Sequence, residues 1–160
     1  MTVLYTPGQL RSATSIAPET YRHWKKALPP LDRGRGHSPC FSSGDLVAVA
    51  VIRSLAADLA VRVSALAPVS QSLFELCNLS PWPVLERARL VIDLPEAQLR
   101  LRPESTEIIG DRPIITIPLR PIVALLREQL LAASEVEDQI SLRFPPVAIS
   151  ATATANGGRL

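Results

Sequence analysis

The sequence predicts an α+β fold, in which a mainly helical N-terminal half precedes a small antiparallel sheet with one helix. Helix-start signals and apolar residues at helical spacing recur through the first half of the chain. In the second half, residues 97–102 alternate strictly between apolar and polar side chains, which is the period of a half-buried strand. The 160 residues are enough to bury a sizeable core.

The first two predicted helices are short and lie close together in the sequence. Thr6 can cap a helix that begins at Pro7, residues 15–17 form a turn, and Pro18 opens a second helix. One side of the second helix should pack and carries Tyr21, Trp24, Lys25 and Leu28. The other side is polar and mostly basic, with Glu19, Arg22, His23 and Lys26. This spacing matches a helix-turn-helix, although a solvated charged helix has the same pattern.

A basic loop and a long apolar helix follow. Pro29 and Pro30 end the second helix, and residues 32–37 have the turn-rich, basic composition of a β-hairpin wing. Ser42 is followed three positions later by Asp45, a variant of the capping box that should start a third helix over about residues 43–59. That helix is apolar on most sides, which places it at the centre of its domain. Its exposed strip is predicted to consist of Asp45, Arg53, Ser54 and Asp58.

In this order and spacing, the segments resemble the MerR family of winged-helix regulators. The resemblance covers roughly residues 4–77, and its matching stretches are residues 5–10, 18–24, 33–36 and 41–46. It implies that Arg22 and His23 contact phosphates or base edges from a recognition helix. Arg35 and His37 would belong to the wing, over the adjacent backbone or minor groove. The sequence departs from the family at His23, where tyrosine is usual, and at Pro39-Cys40-Phe41, which replaces the usual arginine and tyrosine before the third helix.

The charge distribution points to the same region. Residues 1–62 hold eight Lys/Arg against four Asp/Glu, whereas residues 63–160 hold nine against eleven, so the net charge of +2 conceals a basic N-terminal part. Electrostatic affinity for a polyphosphate should therefore reside there and fall with salt. The predicted DNA-contacting set is Arg11, Arg22, His23, Lys25, Lys26, Arg33, Arg35 and His37.

The second half is predicted to form a separate module. A fourth helix over about residues 63–77 contains Pro68, which should kink the helix or mark a late start. The turn formers at residues 78–83 suggest a domain boundary. The elements expected beyond it are strands at 88–94, 97–102 and 114–117 and a helix at 121–133. The predicted domains are a DNA-binding domain at 1–78, an association module at 79–144 and a disordered tail at 145–160.

The module at residues 79–144 is expected to pair two copies of the chain. A symmetric partner would give a helix-turn-helix reader both register and affinity, although the helix could simply cover its own sheet. Residues 139–144 alternate and could add a strand to an exposed sheet edge, in the same chain or in the partner.

Other classes of function find little support in the sequence. There is no glycine-rich phosphate loop and no metal-ligand spacing, so neither an enzyme nor a cofactor is predicted. A thiol–histidine pair of Cys40 and His37 has no third group to orient it, and Cys40 and Cys77 are expected to be free thiols of a reducing cytoplasm. No apolar run approaches a membrane span, and no secretory signal is visible, so a cytoplasmic protein is expected.

The resemblance implies a sequence-specific regulator of transcription on double-stranded DNA, of bacterial or phage origin and acting as a homodimer. One alternative is an excisionase-like or architectural factor that bends DNA without controlling a promoter. Another is an adaptor whose basic helix and loop bind an acidic protein. No small-molecule effector is evident from the sequence.

Overall fold

The computed structural model describes residues 2–33 and 36–141, with side chains described up to residue 134, and confirms the α+β class. Six helices, a 3₁₀ turn and three strands follow one another in this described part. They are α1 (Pro7–Thr14), α2 (Pro18–Ala27), the 3₁₀ turn (Pro29–Leu31), α3 (Ser43–Asp58), α4 (Val63–Leu79), α5 (Trp82–Leu85), β1 (Ala88–Asp93), β2 (Gln98–Pro103), β3 (Ile115–Pro118) and α6 (Arg120–Ser141).

The first two helices begin where the sequence predicts. Thr6 Oγ1 accepts a hydrogen bond from Gln9 N at 3.1 Å, and Gln9 Oε1 accepts one from Thr6 N at 2.9 Å, so the cap of α1 is reciprocal. Ser15 ends α1 in the left-handed region at φ 54°, and three residues later Pro18 opens α2. The two helices and the turn between them are confirmed.

The wing is not confirmed. The 3₁₀ turn follows α2, and in the described residues between that turn and α3 the β pairing is a single bridge between Phe41 and Tyr5. Its hydrogen bond from Tyr5 N to Phe41 O, 2.7 Å long, holds the end of this loop against the segment before α1. Residues 34 and 35 lie outside the described residues, and Arg35 with them.

Helix α3 lies at the centre of the core, as its composition predicts. Four consecutive residues of α3, Leu46 to Val49, are fully buried, which requires packing partners on every side. Helix α4 runs beside it and begins at Val63, so the late start at Pro68 is wrong. The two helices approach so closely that a Cβ on Gly44 would lie 2.7 Å from the backbone of both Cys77 and Asn78.

The sheet is antiparallel, with the strand order β2-β1-β3. All three predicted strands are confirmed to within two residues at their ends. Leu90 and Ile92 point from β1 into the core, while the intervening residues face outward. Strand β2 packs beside α4, and α6 packs against α1 and α3.

The C-terminal expectations are partly wrong. Helix α6 continues to Ser141, well past the predicted end near residue 133, so a strand at 139–144 is wrong for residues 139–141. Amphipathic spacing continuous with α6 outweighs the short alternating pattern there. Residues 142–144 and the predicted tail at 145–160 lie outside the described residues.

One hydrophobic core spans the predicted boundary at residues 78–83. Buried side chains of α3 and α4 belong to the same cluster as Leu85, Leu90, Leu119 and Val123. The boundary segment itself holds α5, whose Trp82 indole donates a hydrogen bond to Ser43 O at 3.2 Å. Residues before and after this segment therefore share one core. The prediction that the two parts are separate domains remains a prediction.

Candidate nucleic-acid interface

Helix α2 presents a packed side and an open side. Tyr21, Trp24 and Leu28 are buried against the core. Arg22, His23 and Lys26 are exposed. The turn at residues 15–17 sets this orientation, because Ile16 is itself buried and fixes the start of α2 against the core.

The exposed cations of α2 are free of intramolecular ion pairs with described acids. Glu19 lies one turn before Arg22 but forms no salt bridge with it, and Lys26 likewise has no carboxylate within 4.0 Å among the described residues. Their charges therefore face solvent without neutralisation. Lys25 and Lys26 also lie in the last turn, where positive charge stabilises the helix through its dipole.

Lys25 lies at the edge of this open side. Its ammonium is 5.9 Å from the centre of the Tyr21 ring and 3.8 Å from Asp32 Oδ1, and its side chain is half-buried. This agrees with its predicted position beside the packing residues of α2. Lys25 can swing toward a ligand only by giving up these contacts.

Arg33 occupies a different environment from the α2 cations. Its guanidinium forms a bidentate pair with Asp45, through Nη1 to Oδ2 at 2.9 Å and Nη2 to Oδ1 at 3.2 Å. Its Nε donates to Pro30 O at 2.7 Å. The rings of Phe41 and Phe74 lie 5.9 and 5.6 Å from the guanidinium carbon. The side chain therefore joins the basic loop to α3 and α4.

Asp45, expected on the exposed strip of α3, is 1 % exposed, so that expectation is wrong. Besides Arg33, its carboxylate accepts hydrogen bonds from Ser42 N and from Asn78 Nδ2, both at 2.8 Å. The Ser42 hydroxyl in turn donates to Asn78 Oδ1. We call Arg33, Ser42, Asp45 and Asn78 the Asp45 network. The buried carboxylate of Asp45 is stabilised because the Arg33 guanidinium, Ser42 N and Asn78 Nδ2 all donate hydrogen bonds to it.

The sequence identified Ser42 and Asp45 as a capping pair but missed the rest of this network. The sequence pattern assigns Asn78 to a domain boundary and Arg33 to the DNA surface. A capping acid at the third helical position was the only local signal, and it does not reveal partners 12 and 33 residues away.

The remaining predicted residues are dispersed. Arg11 is half-buried on the last turn of α1, and His37 is exposed in the loop before α3.

Burial raises the pKa of Tyr21, with the charge of Cys40 adding to that rise and the nearby Arg11 opposing it. The Tyr21 hydroxyl is buried and finds no hydrogen-bond partner among the described residues.

The two cysteines are free, as expected. Cys77 is buried beside Asp45, and this burial raises the pKa of its thiol to about 12, so the thiol stays protonated at neutral pH. Within the described residues, no group of three or more His, Cys, Asp or Glu side chains is placed to hold a metal ion. None of the described helices is both long and apolar enough to cross a membrane.

No protein-family model and no curated protein matches the chain. The resemblance to the MerR family therefore depends on the residues quoted above, and its functional implications remain proposals.

Proposed function

We propose that the protein is a sequence-specific regulator of transcription that binds double-stranded DNA through the open side of α2. The observation that carries the proposal is the exposure of Arg22, His23 and Lys26 on one side of a helix whose other side is buried. A helix about 10–12 Å across fits the major groove of B-DNA, which is about 12 Å wide.

Arg22 and Lys26 are suited to different contacts in such a groove. They lie four residues apart and so project from adjacent turns of the same side. Arginine reads guanine through a planar, bidentate pair of hydrogen bonds, while lysine acts as a compact charge on phosphate. We assign base contact to Arg22 and phosphate contact to Lys26.

The experiment is recovery of genomic DNA fragments bound by the purified full-length chain, followed by sequencing. The account expects a shared consensus, and Arg22→Ala should weaken binding to that consensus by roughly 1–3 kcal/mol with little effect on unrelated duplexes. An equal loss on every duplex would show that Arg22 contacts phosphate. Recovery of fragments without any consensus would contradict sequence-specific regulation.

Arg62→Gln is a matched control for this experiment. Arg62 is exposed, precedes α4 and forms no salt bridge among the described residues. Phe74, the residue of α4 that the Arg33 guanidinium lies against, is 12 residues beyond Arg62, or about 18 Å along α4 at the usual rise. Removal of this charge should leave the consensus affinity within about twofold of wild type.

We further propose that the protein acts as a homodimer through the sheet and α6. Supporting this, α6 leaves Leu125 47 % and Leu131 66 % exposed. A two-fold dimer would bind half-sites about 10–10.5 base pairs apart. Light scattering should then give about twice the chain mass of 17.4 kDa.

Substitution of one exposed leucine tests where the copies meet. Leu131→Glu should shift the mass toward the monomer, because a buried interface does not tolerate an unpaired carboxylate. Leu59→Glu, at a leucine 53 % exposed at the end of α3, should leave the mass unchanged. A monomer at all concentrations would contradict the dimer but not DNA binding by α2.

A further inference from the structure

The outer face of the sheet is partly covered by the segment that joins β2 to β3. This segment is fixed near its start, where Glu104 N donates to Arg87 O at 2.9 Å, and near its end, where Arg112 pairs with Asp93 at 3.5 Å and with Glu96 at 3.2 Å. Between segment and sheet lies a cleft of about 510 Å³. That volume falls in the range of small-molecule sites.

Strands β1 and β2 contribute more arginine than carboxylate to the floor of the cleft. Arg89 and Arg102 are directly opposite in the β1–β2 register, and Arg100 lies two residues along β2 on the same face. Like charges in opposed positions repel each other. Arg89 donates to the carbonyl oxygen of Glu104. Arg100, Arg102 and Arg112 line the cleft, and the ion pairs of Arg112 leave Arg100 and Arg102 as the two without a salt bridge among the described residues.

The nearby carboxylates do not neutralise these two arginines. Asp93 pairs with Arg112, and Glu104 pairs with Arg120 at 2.7 Å. Glu107 and Asp111 line the cleft, but within the described part of the chain neither forms a salt bridge with Arg100 or Arg102. Arg100 hydrogen bonds only to the neutral amide of Gln98, at 3.1 Å, in the same part of the structure.

Part of the cleft wall is aliphatic, and the rest is polar or charged. Val91 lies on the floor directly opposite Arg100, and Ile108, Ile109 and Ile114 line the cleft as well. Ile109 is 87 % exposed, so its side chain is accessible to a ligand and would gain free energy on burial. An anionic head and an aliphatic chain on one ligand would match the arginines and this wall together.

We propose that this cleft binds a small aliphatic carboxylate. Its carboxylate lies between the guanidinium groups of Arg100 and Arg102, and its chain packs on Val91, Ile108 and Ile109. The guanidinium fork matches carboxylate geometry, so the head group is oriented as well as attracted. This inference does not depend on DNA binding by α2, because its residues lie on β1, β2 and the segment that follows β2.

Octanoate is the probe that tests the proposal, monitored by the methyl resonances of isotopically labelled, full-length protein. The methyl signals of Val91, Ile108 and Ile109 should shift in a saturable manner, with a Kd on the order of 1 mM for a ligand of this size. Acetate lacks the chain and octylammonium lacks the anion, so each should bind at least tenfold more weakly. Equal shifts from octylammonium, or no shift with octanoate, would overturn the proposal.

The arginines are tested by the double variant Arg100→Gln/Arg102→Gln, with Arg62→Gln as a control that removes one arginine outside the cleft lining. The double variant should bind octanoate at least fivefold more weakly, while core methyl signals such as those of Leu46 and Val49 keep their positions and report an intact fold. Wild-type affinity in the double variant would overturn the assignment. Octyl phosphate, added in a parallel titration, distinguishes a carboxylate site from a phosphate site: tighter binding of octyl phosphate would overturn the choice of carboxylate.

Discussion

The open side of α2 and the loop that follows it hold the same type of residue in opposite environments. Arg22 and Lys26 are exposed and unpaired with described acids, whereas Arg33 is bonded to a carboxylate that is 1 % exposed. Arg22 is a candidate ligand contact and Arg33 forms a structural ion pair, although the two are only eleven positions apart in the sequence. The local density of positive charge marks both arginines as candidates for ligand contact. Which of them can reach a ligand depends on a partner distant in the sequence, here Asp45.

The largest effect that follows from this contrast is on stability. Arg33→Ala should lower the free energy of unfolding by about 3 kcal/mol, because Asp45 would remain buried without its cationic partner. Arg22→Ala should change it by no more than about 0.5 kcal/mol, as is usual for an exposed position. Urea unfolding monitored by Trp fluorescence measures both. A loss for Arg33→Ala as small as that for Arg22→Ala would contradict the role of the Asp45 network.

The contact between α3 and α4 that supports this network can be tested at glycine. Gly44→Ala should destabilise the protein by about 1–3 kcal/mol, because the added methyl meets the backbone of Cys77 and Asn78 at 2.7 Å. Gly8→Ala in α1 is the matched control, since its added methyl would meet only Thr6 Oγ1, at 3.7 Å. There the substitution should raise stability by up to about 1 kcal/mol. Stabilisation by Gly44→Ala would show that the two helices can separate at little cost.

The helix cap gives a smaller effect that separates the two functions of Ser42. Ser42→Ala removes the bond from Asp45 N, 3.1 Å long, and should cost about 1 kcal/mol. It also removes the donor to Asn78, so its cost should exceed that of Thr6→Ala, whose side chain bonds only within the α1 cap among the described residues. Equal costs in thermal unfolding would show that the link to Asn78 adds no stability.

Lys25 should show the smallest effect. Its pair with Asp32 is 3.8 Å long and the Asp32 side chain is 75 % exposed, so Lys25→Ala should cost about 0.5 kcal/mol or less. Unfolding at high salt should reduce this difference further, because exposed ion pairs are screened. A cost that is large and independent of salt would show that the Lys25–Asp32 pair is structural, like the pair of Arg33 with Asp45.

Local signals accounted for most elements of the fold. The proline and capping signals at Thr6, Pro18 and Ser42 gave the starts of three helices, because a cap is decided by residues within one turn. Strict alternation over residues 97–102 predicted β2, because this pattern too is contained in a short stretch of sequence. The length of α6 and the single core across residues 78–83 depend on tertiary packing, which a local window does not contain.

The candidate site was predictable only in part. The two-sided character of α2 followed from helical spacing, and the burial of Tyr21 and Trp24 agrees with it. The burial of Asp45 could not be read in the same way, since its partners Arg33 and Asn78 come from other elements. The cleft beside β2 was missed because a strand pattern of alternating arginine and leucine gives no sign of a segment folded over its polar face.

Salt dependence of duplex binding tests the division between the two regions most directly. The slope of log affinity against log salt falls by about 0.9 for each phosphate contact that is lost. Arg22→Gln/Lys26→Gln should therefore reduce the slope by about 0.9, because Lys26 is the assigned phosphate contact and Arg22 the base contact. Arg33→Lys, measured under conditions where the variant is folded, should leave the slope unchanged. A slope unaffected by the α2 substitutions, or lowered by Arg33→Lys, would contradict the account.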